Sequence, residues 1–400
     1  MPLNAIGLRA IGFGLVLTTA TKLRFGNLPI GPGEIIIAGL LCAGLASLAH
    51  NPLKSLTNMT PIAVRLMVFW CLFLASYGVG AWCGVSLGVF KPGPALHDTA
   101  SLVFSAAFCT WAAMIHWDQA RFEQVALTIL TVLVAIELPL LIATYAARLS
   151  AAPLPTDYFQ HHFLAGNKEF LGWSHNINQI VIPMICGLPL AWNRLGQVGL
   201  FNRKGAAWAV LLAGTYMLGI FSFSRTFLVA QAAYAFFAAL LVLGRKRGLS
   251  PSWAFFWMMT AIACLYAGTM ALYAMRDVMP QHASRFQLFC NGIEAIAASW
   301  GLGLGPGNFS GATAPFQGME AHNLFLDVAM SGGVAALFLF LLLYRHCLLC
   351  VSRLQNTSYQ AIHICLFIFL LFHFPMRHPL FWFYMIFPAL IQSGAQLERE

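Results

Sequence analysis

The feature that most constrains this chain is the repetition of uninterrupted apolar runs, many reaching about 18 residues, the length that crosses the hydrocarbon core of a bilayer. With 60% of residues hydrophobic and 9% charged, such a chain is expected to be an all-α polytopic membrane protein. A transmembrane β-barrel is disfavoured, because barrel strands alternate in polarity over about ten residues and these runs are continuous. Windows of about 19 residues predict about twelve transmembrane helices, near 5–21, 33–49, 61–82, 99–116, 124–146, 175–193, 206–222, 226–243, 252–274, 324–344, 358–374 and 379–396. No polar segment is long enough to bury a core of its own, so residues 1–400 are expected to form a single integral membrane domain.

The formal net charge is +9, but the basic residues are scattered through loops rather than gathered on one face, which argues against a nucleic-acid partner. Membrane topology accounts for most of them. With the amino terminus inside, the cluster Arg245-Lys246-Arg247 is cytoplasmic, as the positive-inside rule requires. That orientation leaves Lys22, Arg24, Lys91, Arg148, Lys168, Arg225, Arg276, Arg285 and Arg377 on the outer side, against the usual bias. Lys22, Arg24 and Lys91 are explained by snorkelling to headgroups. Arg225 stands apart: it sits in a turn of very few residues between two apolar runs, where a charge needs a partner.

Two outer loops are long, about 147–174 and about 275–323. The segment 286–300 of the second is amphipathic and predicts a short helix along the membrane surface. GLGLGPG at 301–307 follows a helix rather than a strand and lacks a Walker lysine, so it is read as a flexible outer turn and not as a nucleotide loop. The ten cysteines fall mostly inside apolar runs, where a thiol packs as a small hydrophobe. No histidine pair has metal-ligand spacing, so neither a metal nor another cofactor is expected. Asp327 lies one turn after His322, where it could orient the imidazole, bind a hydroxyl or simply pack. Glu137 falls within a predicted span, and its partner is not evident from the sequence.

Arg225, Arg285 and His322 suggest a chemistry together. Guanidinium groups bind phosphate oxygens bidentately and stay charged, which suits a pyrophosphate leaving group without calling for a metal. A histidine can take the proton of an attacking hydroxyl. The combination reads as glycosyl transfer from a lipid pyrophosphate.

On four features the chain resembles the O-antigen ligase and polymerase superfamily of bacterial inner-membrane proteins, over about residues 170–340. These are Ser-His-Asn-Ile-Asn-Gln at 174–179, Ser224-Arg225-Thr226 in a short turn, Arg285 ahead of GLGLGPGNF, and His322-Asn323 followed by Gly333. The resemblance implies a GT-C-like helical fold with periplasmic loop helices, in the bacterial inner membrane, with its active site facing the periplasm. It implies an inverting, metal-independent O-antigen ligase, which moves a glycan from undecaprenyl pyrophosphate to the lipid A-core oligosaccharide. Arg225 and Arg285 would hold the pyrophosphate, and His322 would deprotonate the acceptor. Asn323, Asp327, His175, Asn178 and Arg148 are the further candidates for substrate binding. Ala336 stands where ligase patterns often carry Gly, Thr or Tyr, so the likeness is firmer to the superfamily than to the ligases. A polysaccharide polymerase or a protein O-oligosaccharyltransferase would use the same constellation. A transporter of lipid-linked sugars would instead call for charged or broken helices near the midplane and a repeated half.

Overall fold

A computed structural model describes residues 4–21, 23, 30–50, 60–151, 170, 172–174, 177–246, 248, 250–275, 280–307 and 320–397; within its helices the side chains of 47–49, 151, 177, 245–246, 272–275, 280–285 and 395–397 are not described. Among the described residues the chain forms thirteen helices and no strand. They are α1 (Ala5–Leu17), α2 (Pro32–His50), α3 (Pro61–Ser86), α4 (Pro92–Ala113), α5 (Gln119–Ala151), α6 (Ile177–Val198) and α7 (Arg203–Phe221). There follow α8 (Arg225–Lys246), α9 (Pro251–Met275), α10 (Pro280–Ala298), α11 (Leu324–Leu354), α12 (Thr357–Phe372) and α13 (Pro379–Leu397).

Every predicted span coincides with one of these helices, and the surface segment expected at 286–300 corresponds to α10, which begins earlier. Six of the thirteen, α3, α5, α7, α8, α9 and α11, are long and apolar enough to cross a membrane. Two of the others fall short for local reasons. Helix α1 ends at Leu17 because Thr18 and Thr19 turn their hydroxyls back onto the carbonyls of Leu15 (2.7 Å) and Val16 (3.1 Å), side-chain bonds that compete with further helix. Helix α4 spends its first turns on polar residues, including the buried Asp98.

Many starts are marked by a capping oxygen. Asn4, Thr60, Asn202, Asn323 and Asn356 each accept an N–H from the first turn of the helix that follows, satisfying donors that a helix leaves unpaired. The core is built round α12 and α13, which are buried on nearly every side, as expected of helices that are hydrophobic all round. Helices α3, α4, α6, α8, α9 and α11 pack around them. The outer faces of the peripheral helices are apolar, with Val64, Val68, Leu72 and Trp82 exposed on α3 and Val229, Phe236, Val242 and Leu243 on α8. That is the surface of a membrane-embedded protein, since a soluble one rarely leaves such patches uncovered.

Two segments expected as loops prove to be fixed parts of the framework. Helix α11 is broken at Gly333, whose φ of 74° and ψ of −178° lie outside any helix. The break frees backbone groups, and the glycine-rich segment takes them up: Leu304 N–H donates to Met330 O (2.7 Å), Gly305 N–H to Ser331 O (2.8 Å), and Val334 N–H to Gly301 O (2.8 Å). The flexible turn expected at 301–307 is therefore a docked one, held by main-chain bonds that leave no trace in side-chain identity. Glu137, on α5, is fully buried and accepts the Trp173 N–H through both carboxylate oxygens (3.2 and 3.0 Å). The carboxylate lies so close to Gly172 that a Cβ there would sit 2.7 Å from Oε2. Glu137 thus ties down the strand of chain that feeds α6.

Candidate functional site

One end of the bundle gathers the start of α8, the loop before α11, the turn between α12 and α13 and the first turn of α6. His322 stands in the loop before α11 in a left-handed backbone conformation (φ 54°), which a non-glycine residue adopts only when its surroundings hold it there. The holding group is Asp327. Its buried carboxylate accepts the Ala321 N–H (2.8 Å) and the Asn323 N–H (3.3 Å), the amides on either side of His322. Asn323 caps α11 through Leu326 N–H (3.0 Å) and donates from Nδ2 to the Tyr266 hydroxyl (3.0 Å). Both residues shape the loop that carries the histidine.

Arg225 is the first residue of α8 and is exposed. A cation at a helix N-terminus adds to the positive end of the helix dipole, which costs stability and raises the attraction for an anion. The turn before it is tight: Phe223 is buried at a φ of 51°, and Ser224 Oγ accepts the Phe227 N–H (3.3 Å). Thr226 Oγ1 lies 2.8 Å from His373 Nε2, which joins this turn to the one between α12 and α13.

That second turn carries a residue that sequence reasoning placed on the outer side without assigning it a role. The Arg377 guanidinium binds Asp98 through Nε (3.0 Å) and Glu320 through its terminal nitrogen, and lies over the Phe374 ring at 5.4 Å. Burial pushes the Glu320 carboxyl above its ordinary range, with Arg377 opposing the shift. Burial alone would lower the Arg377 guanidinium, but Glu320 and Asp98 outweigh it and hold the charge more firmly. The available signal was a lone arginine between histidines in a short turn (His373 to His378); its partners stand far off in sequence.

Two cavities meet at His322. One, of about 580 Å3, is apolar and runs between α8, α9, α10 and α12, with Arg225, Tyr266 and His322 among its few polar lining residues. It follows α8 from Arg225 to Phe236, and a further apolar cavity of about 450 Å3 continues from Phe236 and Met258 toward the other end of α8 and α9. The other, of about 140 Å3, is polar and is lined by Asn178, Gln179, Glu320, His322, His373, Arg377 and His378 among others. Arg225, His322 and Asn178 are thus brought to one region. Arg148, in the last turn of α5, is not among the residues lining either cavity. The Arg285 side chain, on α10, and the whole of His175 lie outside the described residues. Among the described residues no group of three or more His, Cys, Asp or Glu side chains is gathered in a way that could hold a metal ion. Neither the protein-family models nor the curated proteins with which the sequence was compared give a match.

Proposed function

We propose that the protein is an inverting membrane glycosyltransferase of the O-antigen ligase kind, moving a glycan from undecaprenyl pyrophosphate to a lipid A-core oligosaccharide at the periplasmic face of the bacterial inner membrane, with about twelve spans in a GT-C-like arrangement. The observation that carries the reading is the position of His322 between an apolar cavity with a cationic mouth and a polar cavity. A polyprenyl chain fits the first, with its pyrophosphate at Arg225 and the α8 N-terminus. The acceptor hydroxyl approaches His322 from the second. In the step itself the acceptor oxygen attacks the anomeric carbon as the bond from that carbon to the pyrophosphate oxygen breaks. His322 takes the hydroxyl proton, and the pyrophosphate leaves with the bonding electron pair, its charge met by Arg225. Direct displacement inverts the anomeric centre. General-base help of this kind is worth about 10²–10⁴ in rate.

The test is transfer by the purified full chain in detergent, supplied with undecaprenyl-pyrophosphate glycan and lipid A-core. Conjugate is expected without added nucleotide or ion gradient, and Arg225→Ala should raise the donor KM about tenfold or more, the loss of a charge-assisted contact. Absence of conjugate from the wild type would sink the proposal. If the chain joins two lipid-linked glycans and leaves lipid A-core untouched, it is a polymerase using the same site.

A further inference from the structure

The polar cavity on the α6 side of His322 has a chemistry of its own. Its lining combines the Gln179 amide, the Glu320 carboxyl and imidazoles, groups that both donate and accept. At about 30 Å3 per water, its volume of about 140 Å3 corresponds to four or five waters or one sugar ring. Its charge excludes the donor's head. The one guanidinium among its described lining residues, Arg377, is engaged by two carboxylates, Asp98 and Glu320, so its charge is met within the protein. The apolar cavity is the reverse: Arg225 lines it and no carboxylate does, among the described residues. An anionic group therefore belongs on the Arg225 side of His322, and a neutral polyol on the Glu320 side.

We infer that the cavity lined by Gln179 and Glu320 is a saccharide subsite that seats one uncharged sugar ring of the acceptor, with Arg377 as the positioning residue that fixes Glu320. The inference deepens the function proposed above and rests on it for the word acceptor. The sugar-binding part stands on the cavity alone. Gln179 would offer its amide to adjacent ring hydroxyls, and Glu320 would accept from a third. Arg377, clamped by Asp98 and by the face of Phe374, keeps the Glu320 carboxyl from turning away.

Saturation-transfer NMR on the detergent-solubilised full chain, with free glucose and galactose as probes, tests this separately from catalysis. At least one hexose should receive saturation through its ring protons. Gln179→Leu, which keeps the size and removes both polar atoms, should weaken that signal about fivefold. Glu320→Gln should weaken it less, and Val210→Ala, at an exposed apolar position on α7, should leave it unchanged. Glucose 6-phosphate should bind no better than glucose. The inference is overturned if the wild type saturates neither hexose, if Gln179→Leu and Glu320→Gln both bind as the wild type does, or if the phosphorylated ring binds more tightly. Hexose binding that persists in a protein unable to form conjugate would overturn the ligase reading and leave the sugar subsite standing.

Discussion

His322 occupies a backbone conformation that costs a residue with a Cβ on the order of 1–2 kcal/mol. Asp327 offsets that cost by fixing the amides before and after the histidine. Fold and function therefore pull in different directions at this position, which gives a clean substitution. His322→Gly should leave the thermal midpoint in detergent unchanged or slightly higher, because glycine adopts a positive φ freely. Transfer should fall by about 10² or more. A lower midpoint with transfer intact would show that the imidazole serves the loop and not the reaction. The same logic separates neighbours that looked alike in sequence. Asn323 and Asp327 were legible as residues of the site region, but Asp327 spends its carboxylate on the amides of the loop, and Asn323 caps α11 and donates to Tyr266 on α9. Side-chain type alone does not tell a polar group turned to substrate from one turned to backbone.

At the scale of elements, the apolar runs announced the helices, and the polar caps announced several of their starts. What the runs did not announce is the break in α11. Gly333 holds a φ and ψ that essentially only glycine adopts, and a Cβ there would meet Gly301 O at 2.5 Å. Gly333→Ala should lower stability by about 1–3 kcal/mol from the backbone conformation alone, read as a drop in thermal midpoint. Gly88→Ala, at a positive φ with open space around it, should cost less. Equal effects would mean that the packed seam adds nothing. A broken helix is also what a carrier would use to bind substrate or ion in mid-membrane. Here the freed carbonyls of Met330 and Ser331 are taken by Leu304 and Gly305, and the buried carboxylate of Glu137 is taken by Trp173. The two features a carrier needs are present in form but occupied by the protein itself. The sequence could not reveal this, because the partners are main-chain groups far along the chain. The role of Arg377 was not legible for a related reason: its meaning lies in Asp98 and Glu320, which only the packing brings beside it.

For the whole molecule, the functional proposal requires that the end carrying Arg225, His322 and Arg377 face the periplasm. The turn at 87–91 between α3 and α4 lies at that end, as Asp98 does, and the turn near Gly199 between α6 and α7 lies at the other. Alkaline phosphatase fused after Gly88 should be active in intact cells, and the same enzyme fused after Gly199 should be silent. The opposite pattern would place the site in the cytoplasm and exclude an acceptor on the outer leaflet. The glycine seam bears on how such a molecule can change over generations. The short first segment of α11, which carries the Asp327 that holds the His322 loop, is moored by main-chain atoms at 301–305 and 330–334, so that mooring does not depend on which side chains decorate it. Positions such as the exposed Leu302 are open to drift, while the glycines that allow two backbones to touch are closed to it. Distant descendants of this chain would then share little wording and a common punctuation, and the spacing of their glycines would outlast the residues between them.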